Sequence, residues 1–519
     1  MIIAIFSLYN NPMTFSDRRF ALFVGAMMLA AAALPHLWAR TAAGDAHVFG
    51  GLLFNPIDGN TYLAKAYQGY EGDWRFRLPY TAEPGDGAYI NLYYLFIGHV
   101  ARWTGLSIPL TYNLARLAGA GLMLAALWSF YRAVLKEPAK YRRAFAISAL
   151  TLGMGWLLVP AGLIPMDLWV AEAYPLLAAL TNSHFPLALA LIVVLANPES
   201  GLHGRLRIAR DALLALLLAL VSPFGVLIAL LPWAWESLRT TLDRLPDRPV
   251  SLGEFLHRPE TARILAILAG GAPVLLYDLA AIRTDPVLAR WDAQNVTALP
   301  PWWDVALSLS PALVLALAGF RKSPQILRGW FVLGLLMALI PIGLQRRFLM
   351  GLYIPLAGIA AVGFGSLRRS GVRLFFLACF VPAPVILLLS ARAGIESHNP
   401  LLYLGDGEHA AMAWIETHTS PDDLVLAAPE TGLFIPAYTG RRVIYGHPFE
   451  TIAANAEREA VVFFYSQASS EAARQFLADR GIDFVFYGPR EADLGAPPDL
   501  PSLQLVHTVA GVRIYAVEP

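Results

Sequence analysis

Three groups of residues in this chain combine types and spacings that chemistry uses. The first is Asn55-Pro-Ile-Asp-Gly-Asn-Thr-Tyr-Leu-Ala-Lys65. From Asp58 onward the pattern is helical, and Tyr62 and Lys65 fall on the same face as Asp58. A carboxylate flanked by a cation and a phenol suits a general base that takes a proton from a hydroxyl or amine. Asp58 equally reads as a helix N-cap, since Asp before Gly-Asn-Thr is a common helix start. One residue can do both. Glu83 and Asp86, in a Gly/Pro-rich stretch farther on, read as solvated loop acids.

The second group is Arg346-Arg347, wedged between the apolar runs Phe331–Leu344 and Phe348–Phe364. Two adjacent guanidiniums match the oxygens of a phosphate or diphosphate bidentately. Snorkelling to lipid headgroups, or a topology displaced by one helix, are the plainer alternatives. The third group is dispersed. Asp167 and Glu172 lie in a loop that ends in Asn182-Ser-His-Phe-Pro186, the opening of a helix. Glu172 and His184 are candidates for substrate binding or proton transfer, although a His at a helix start also caps or packs. Pro429-Glu-Thr-Gly432 and Tyr445-Gly-His-Pro-Phe-Glu-Thr451 put His447 and Glu450 after strand-like runs, where α/β folds place their sites. Tight turns alone account for the Gly and Pro there.

Other chemistries are poorly served. A single cysteine, Cys379, excludes a disulfide framework, a Cys-based zinc site and an iron–sulfur cluster. No G-x-G-x-x-G, Walker A, G-x-S-x-G or H-E-x-x-H pattern stands in a usable context. No cofactor is indicated; a divalent metal is compatible with the acids but nothing calls for one.

These residues need a scaffold, and composition says which kind. Of 519 residues, 57% are apolar and only 15% charged, with mean hydropathy +0.52. Soluble domains carry about 25% charged residues, so a soluble enzyme, a disordered scaffold and a basic nucleic-acid binder are all disfavoured. The expected class is a polytopic α-helical membrane protein. Runs of ~20 apolar residues, the length of a membrane helix, start near Phe20, Ile108, Ala144, Phe185, Ala212, Phe224, Ile264, Val305, Trp330, Phe348 and Leu374. That predicts about eleven spans. The stretch from Ala212 to Trp235 is interrupted at Ser222-Pro-Phe-Gly225 and reads as one kinked helix or two.

Arg18 and Arg19 before the first span put the N-terminus in the cytoplasm. Small residues at Ala42-Ala-Gly44 would suit signal cleavage, but Trp38 reads as an interface anchor, so the span is kept. Tyr89 to Trp103 is short for a span. Laid flat on the outer surface as an interfacial helix, it lets Lys136/Lys140/Arg142/Arg143 fall inside. Arg205/Arg207/Arg210, Arg239/Arg244/Arg248, Arg321/Lys322/Arg328 and Arg368/Arg369/Arg373 then follow suit. Arg346-Arg347 is the exception, on the outer side.

Outside lie a first loop (39–109), the loop Gly162–Ser183, the loop Ile282–Asp304 and everything after Ser397. The third of these carries Trp291, Gln294, the glycosylation-type triplet Asn295-Val-Thr297 and Pro300-Pro-Trp-Trp303. Its tryptophans suit an aromatic belt or packing against a sugar or prenyl chain. The net charge of +1 hides an asymmetry: 32 Lys and Arg against 22 Asp and Glu before residue 398, and 7 against 16 from there on. Strand-length runs at Leu424–Ala428, Asp483–Tyr487 and Val512–Val517 alternate with helical patterns at His409–Thr417, Ile452–Tyr465 and Ser470–Arg480. The reading is a transmembrane domain over 1–397 and a small extracytoplasmic α/β domain over 398–519.

This arrangement resembles the GT-C membrane glycosyltransferases. The resemblance rests on one span followed by a long outer loop with an early acid, and on an interfacial helix, Asn91-Leu-Tyr-Tyr-Leu-Phe-Ile-Gly, before Ala115-Arg116-Leu-Ala-Gly. The Ser-Pro-Phe-Gly225 break and an outer α/β domain add to it. The resemblance implies transfer of a hexose or pentose from a polyprenyl-phosphate donor, without a nucleotide sugar, on the outer face of a bacterial inner or plasma membrane. Its partners would be the bilayer, the lipid-linked donor and an acceptor that is a lipid, a glycan or a protein, with no nucleic acid. The family's loop acid would map onto Asp58 and its lipid-phosphate contact onto Arg346 and Arg347. Two other functions compete. A secondary transporter or flippase tends to show internal repeats and polar breaks at mid-bilayer, whereas here Asp58, Glu172, Asp278 and Arg346 gather toward one face. A non-catalytic envelope assembly protein would tolerate Asp58→Asn and Arg346→Ala.

Overall fold

A computed structural model describes residues 14–199, 201–244, 251–341 and 343–518. Arg248, grouped above with Arg239 and Arg244, lies outside the described residues. The chain is mostly helical, and helices occupy each of the eleven apolar runs. Among the described residues, five are long and apolar enough to cross a membrane: Phe15–Ala42, Ile108–Leu135, Pro138–Ala161, Pro259–Thr284 and Ser370–Glu396. Trp302–Leu309 and Ala312–Lys322 qualify only together and are bent by 75°. His184–Ala196, Gln325–Ala338 and Tyr353–Gly365 are apolar but shorter. These helices make the chain an integral membrane protein. The interrupted stretch is two helices, Gly204–Val221 and Pro223–Leu242. Pro223 has no N–H with which to continue the first and is preorganised to begin the second.

The chain forms two compact units. The first takes Met1–Pro35, Leu114–Tyr277 and Thr297–Arg392. Within it the start of Phe15–Ala42 meets the segment before Ala144, because Arg142 pairs with Asp17 at 2.7 Å and the Tyr141 hydroxyl donates to Asp17 at 2.9 Å. Arg143 in turn donates to the Ala361 carbonyl at 3.0 Å. Three segments that the charge pattern assigns to one side are thus joined. Deeper in this unit, Asp211 has no exposed side-chain surface and is held by Arg210 and by Arg263.

The second unit takes His36–Asn113, Asp278–Val296 and Ala393–Pro519. Three of the four stretches expected outside supply it almost whole; the fourth, Gly162–Ser183, belongs to the first unit. Here β1 (His47–Phe49) pairs antiparallel with β2 (Tyr403–Gly405), tying the first loop to the C-terminal segment. Five more strands follow: β3 (Leu424–Leu426), β4 (Arg442–Val443), β5 (Phe484–Tyr487), β6 (Leu503–Val509) and β7 (Val512–Val517). They form one mixed sheet in the order β4-β3-β5-β7-β6, parallel on its β4-β3-β5 side. Helices Asp406–His418, Ala454–Ser466 and Glu471–Arg480 lie between the strands in sequence, close to the predicted patterns.

Two helices of the first loop carry the site. Pro56–Glu71 packs on Leu92–Thr104 through reciprocal glycines. A Cβ on Gly69 would collide with the Leu95 carbonyl oxygen, and one on Gly98 with that of Ala66. Leu92–Thr104 is the helix expected over Tyr89–Trp103. It starts later because Asn91 takes a left-handed backbone (φ 56°) and begins it. Leu95 and Ile97 are buried while Phe96 and Trp103 are exposed, the two-faced pattern an interfacial helix needs. The N-cap reading of Asp58 is corrected. Asn55 (φ 51°) caps the helix and Pro56 occupies its first turn, which moves the start upstream and leaves Asp58 inside the first turn.

Candidate functional site

In the second unit the helix Pro56–Glu71 meets the loop that follows β4. Such loops, at the carboxyl ends of parallel strands, are where α/β sheets form crevices. Asp58 Oδ1 lies 3.2 Å from His447 Nε2, and Asn55 Nδ2 donates to Asp58 Oδ2 at 2.9 Å. The backbone N–H groups of Phe449 and Glu450 both donate to His447 Nδ1, each at 3.1 Å. With Nδ1 accepting twice, the ring proton of neutral His447 is on Nε2 and is donated to Asp58. His447 is 3% exposed and Asp58 44%, so a buried donor orients a carboxylate that faces solvent.

Two turns along the same helix, Lys65 pairs with Glu450 at 2.7 Å, both almost buried. Tyr62 stacks on Tyr94 with ring centres 4.4 Å apart, and Lys65 Nζ lies 5.2 Å from the Tyr62 ring. Burial, then the neighbouring phenols and Asp58, push Tyr94 well above the ordinary phenol range. Tyr80 is raised by burial and by Glu450, and its hydroxyl donates to the Leu433 carbonyl at 3.1 Å. Both remain neutral phenols. The far end of the helix is fastened as well: Tyr67 donates to Glu416, and Glu71 pairs with Arg441 at 3.2 Å. Gln294 props the loop from behind, donating to the carbonyls of Phe449 at 3.1 Å and Thr451 at 2.7 Å.

The expected site residues thus separate into those the structure joins and those it does not. Asp58, Tyr62, Lys65 and His447 belong to one cluster, which Glu450 and Gln294 complete. The pairings Asp58–His447 and Lys65–Glu450 were not foreseen. Their only trace in the sequence is complementary charge: an acid and a base two turns apart on one helix, against a His and a Glu three residues apart in one loop.

In the first unit, Arg346 and Arg347 sit in the short turn Gln345–Leu349. Arg346 Nε and Arg347 Nη1 lie 3.8 and 3.5 Å from one oxygen of Glu172, which is 4% exposed. The Arg346 guanidinium also lies 4.9 Å from the centre of the Trp169 ring, and Gly351 N donates to the Glu172 carbonyl at 2.8 Å. One carboxylate thus faces two guanidiniums. Glu172 is placed as their counter-charge rather than as a hydrogen-bonded partner. His184 opens the helix His184–Ala196 nearly buried, its ring 3.9 Å from that of Phe185. Among the described residues, no group of three or more His, Cys, Asp or Glu is arranged to hold a metal ion.

No protein-family model and no curated sequence matches the chain. Solved structures do. The oligosaccharyltransferase of Archaeoglobus fulgidus in its apo form aligns with 91% of this chain and 70% of its own at 12% identity and TM-score 0.53. The same organism's AglB, in complex with an inhibitory peptide and a dolichol-phosphate, aligns with 91% and 69% at 12% identity and TM-score 0.50. ArnT from Cupriavidus metallidurans in the apo state aligns with 95% and 97% at 12% identity and TM-score 0.46. At such identities the likeness is one of fold alone: the chain shares the architecture of the Archaeoglobus fulgidus oligosaccharyltransferase.

Proposed function

We propose that the protein transfers a sugar from a polyprenyl-phosphate donor to an acceptor on the extracytoplasmic face of a bacterial inner or plasma membrane. In this reading about eleven helices cross the bilayer, the N-terminus is cytoplasmic and the C-terminal α/β domain is outside. The observation that carries the proposal is the half-exposed Asp58 carboxylate, oriented by the Nε2–H of a buried His447. A base so placed takes the proton of an acceptor hydroxyl or amine as that atom bonds to the anomeric carbon. The bond from that carbon to the lipid phosphate breaks, and its electron pair leaves with the phosphate oxygen. On the first unit, Arg346 and Arg347 are the pair we assign to a lipid phosphate, whose oxygens guanidiniums match, with Glu172 beside them. His447 passes no proton onward, because two backbone N–H groups occupy Nδ1. The dolichol-phosphate in the AglB complex supports a lipid phosphate as the donor's carrier.

The test is transfer of labelled sugar by purified protein in nanodiscs from a polyprenyl-phosphate donor. Asp58→Asn is expected to lower transfer by about 10²-fold or more, and the double change Arg346→Ala/Arg347→Ala by about tenfold or more, while membrane insertion stays normal. Full transfer by both variants overturns the proposal and returns the protein to a non-catalytic assembly role.

A further inference from the structure

A second carboxyl cluster in the first unit is used by none of these steps. Asp167 lies in the short helix Met166–Trp169 and Asp304 in Trp302–Leu309, both buried. Between them stands the Ser308 hydroxyl, 3.2 Å from Asp167 Oδ1 and 2.8 Å from Asp304 Oδ1. The remaining acceptors are occupied: Gly155 N donates to Asp167 Oδ2 at 3.3 Å, and Met166 N donates to both oxygens of Asp304 at 3.1 Å. The packing allows no slack. A Cβ on Gly155 would strike Asp167 Oδ1, and one on Gly153 the Ser308 carbonyl.

A hydroxyl has one proton. Ser308 can donate to one carboxylate only, and its other contact pairs two bare oxygens unless that carboxyl supplies a proton of its own. The geometry therefore calls for a chain in which one carboxyl donates to Ser308 and Ser308 donates to the other. Burial pushes Asp167 up to about 7, with the charge of Asp304 adding to the effect. The other titratable groups facing Asp167 are Tyr174, whose hydroxyl donates to the Ser308 carbonyl at 2.7 Å, and Tyr353. No cation is among them.

The segment fixed by this chain leads directly to the arginines. Trp169, two residues past Asp167, packs on Arg346, and Glu172 faces both guanidiniums. We propose that Asp167, Ser308 and Asp304 form a latch closed by one shared proton, whose role is to position Trp169 and Glu172 against Arg346 and Arg347. These are positioning residues. Their consequence for transfer rests on the proposed function, but the latch itself does not.

The sign of the pH effect follows from the raised Asp167 value. The latched form holds a proton that the opened segment, with an ordinary carboxyl near 3.8, gives up. Latching is therefore at full strength below about 4 and is lost as pH rises through about 7.

The experiment is hydrogen–deuterium exchange of the segment 163–173 in the purified full-length protein, at pH 5, 6, 7 and 8, corrected for intrinsic exchange rates. Wild-type protection is expected to fall by up to about tenfold per pH unit and to level off above pH 7. Asp167→Asn supplies the donor permanently and is expected to hold protection high and flat across the range. Asp167→Ala removes the donor and is expected to stay unprotected throughout. Flat wild-type protection, or Asp167→Asn as unprotected as Asp167→Ala, overturns the latch. Binding of a polyprenyl phosphate to the same preparations separates the two proposals. If the exchange behaves as expected while Arg346→Ala/Arg347→Ala binds like wild type, the phosphate site fails and the latch stands.

Discussion

Two arginine groups in the first unit show opposite uses of the same side chain. Arg263 is 3% exposed and donates through Nε to Asp211 at 2.8 Å, through Nη1 to the Asn197 carbonyl at 2.8 Å and through Nη2 to the Leu195 carbonyl at 2.7 Å. Its guanidinium also lies 3.8 Å from the centre of the Trp233 ring. Arg346 and Arg347 are 23% and 29% exposed, and share one carboxylate oxygen at distances beyond a good hydrogen bond. The first arrangement closes off a buried charge; the second keeps positive charge at a partly open surface. The carboxylates divide in the same way. Asp211 is sealed by two arginines, whereas Asp58 stands half-exposed with a histidine N–H to aim it. Geometry separates charges that hold the fold from charges available to a ligand.

The most severe test of that division is Asp58→Asn, expected to lower transfer by about 10²- to 10⁴-fold, the usual contribution of a general base, with unfolding unchanged. Next comes Arg263→Ala, expected to cost about 3–5 kcal/mol in denaturant unfolding, because it leaves the buried Asp211 with Arg210 alone and strips the Asn197 and Leu195 carbonyls of their donor. Arg346→Ala/Arg347→Ala made together with Glu172→Gln, so that no buried carboxylate is stranded, should change stability by less than about 1 kcal/mol. It should weaken donor binding by roughly 10- to 100-fold, from the 1.5–3 kcal/mol typical of hydrogen bonds to charged groups. If this pair proves as destabilising as Arg263→Ala, the distinction collapses. The smallest effect belongs to His447→Gln, whose amide can replace the Nε2–H and should leave transfer within about threefold of wild type. His447→Ala should lose about tenfold, one hydrogen bond to a charged group.

Much of this architecture was legible in local pattern. Asp58, Tyr62 and Lys65 do share a helix, and the helix expected over Tyr89–Trp103 and the strand-length runs appear within a few residues of expectation. Helix ends were less legible because special backbone conformations set them. Asn55 and Asn91 both take positive φ, which Asn tolerates better than most residues but which no periodic pattern announces. The site itself was half visible. Asp58 and His447 stand 389 positions apart, and no local rule relates them. The role of Glu172 was visible as chemistry but not as partnership, since its arginines come from a turn more than 170 residues later.

That sequence distance has a consequence for how the protein is made. The helix Pro56–Glu71 leaves the ribosome well before Glu416, Arg441, Glu450 and His447, which fasten it and follow their partners by 349 to 389 residues. At 5–20 residues per second, the nascent chain carries Asp58 without His447 for roughly 20 to 80 s. During that interval the protein can insert and thread its helices past the very lipids it is proposed to act on. Until that loop is made, the Asp58 carboxylate lacks the N–H that aims it.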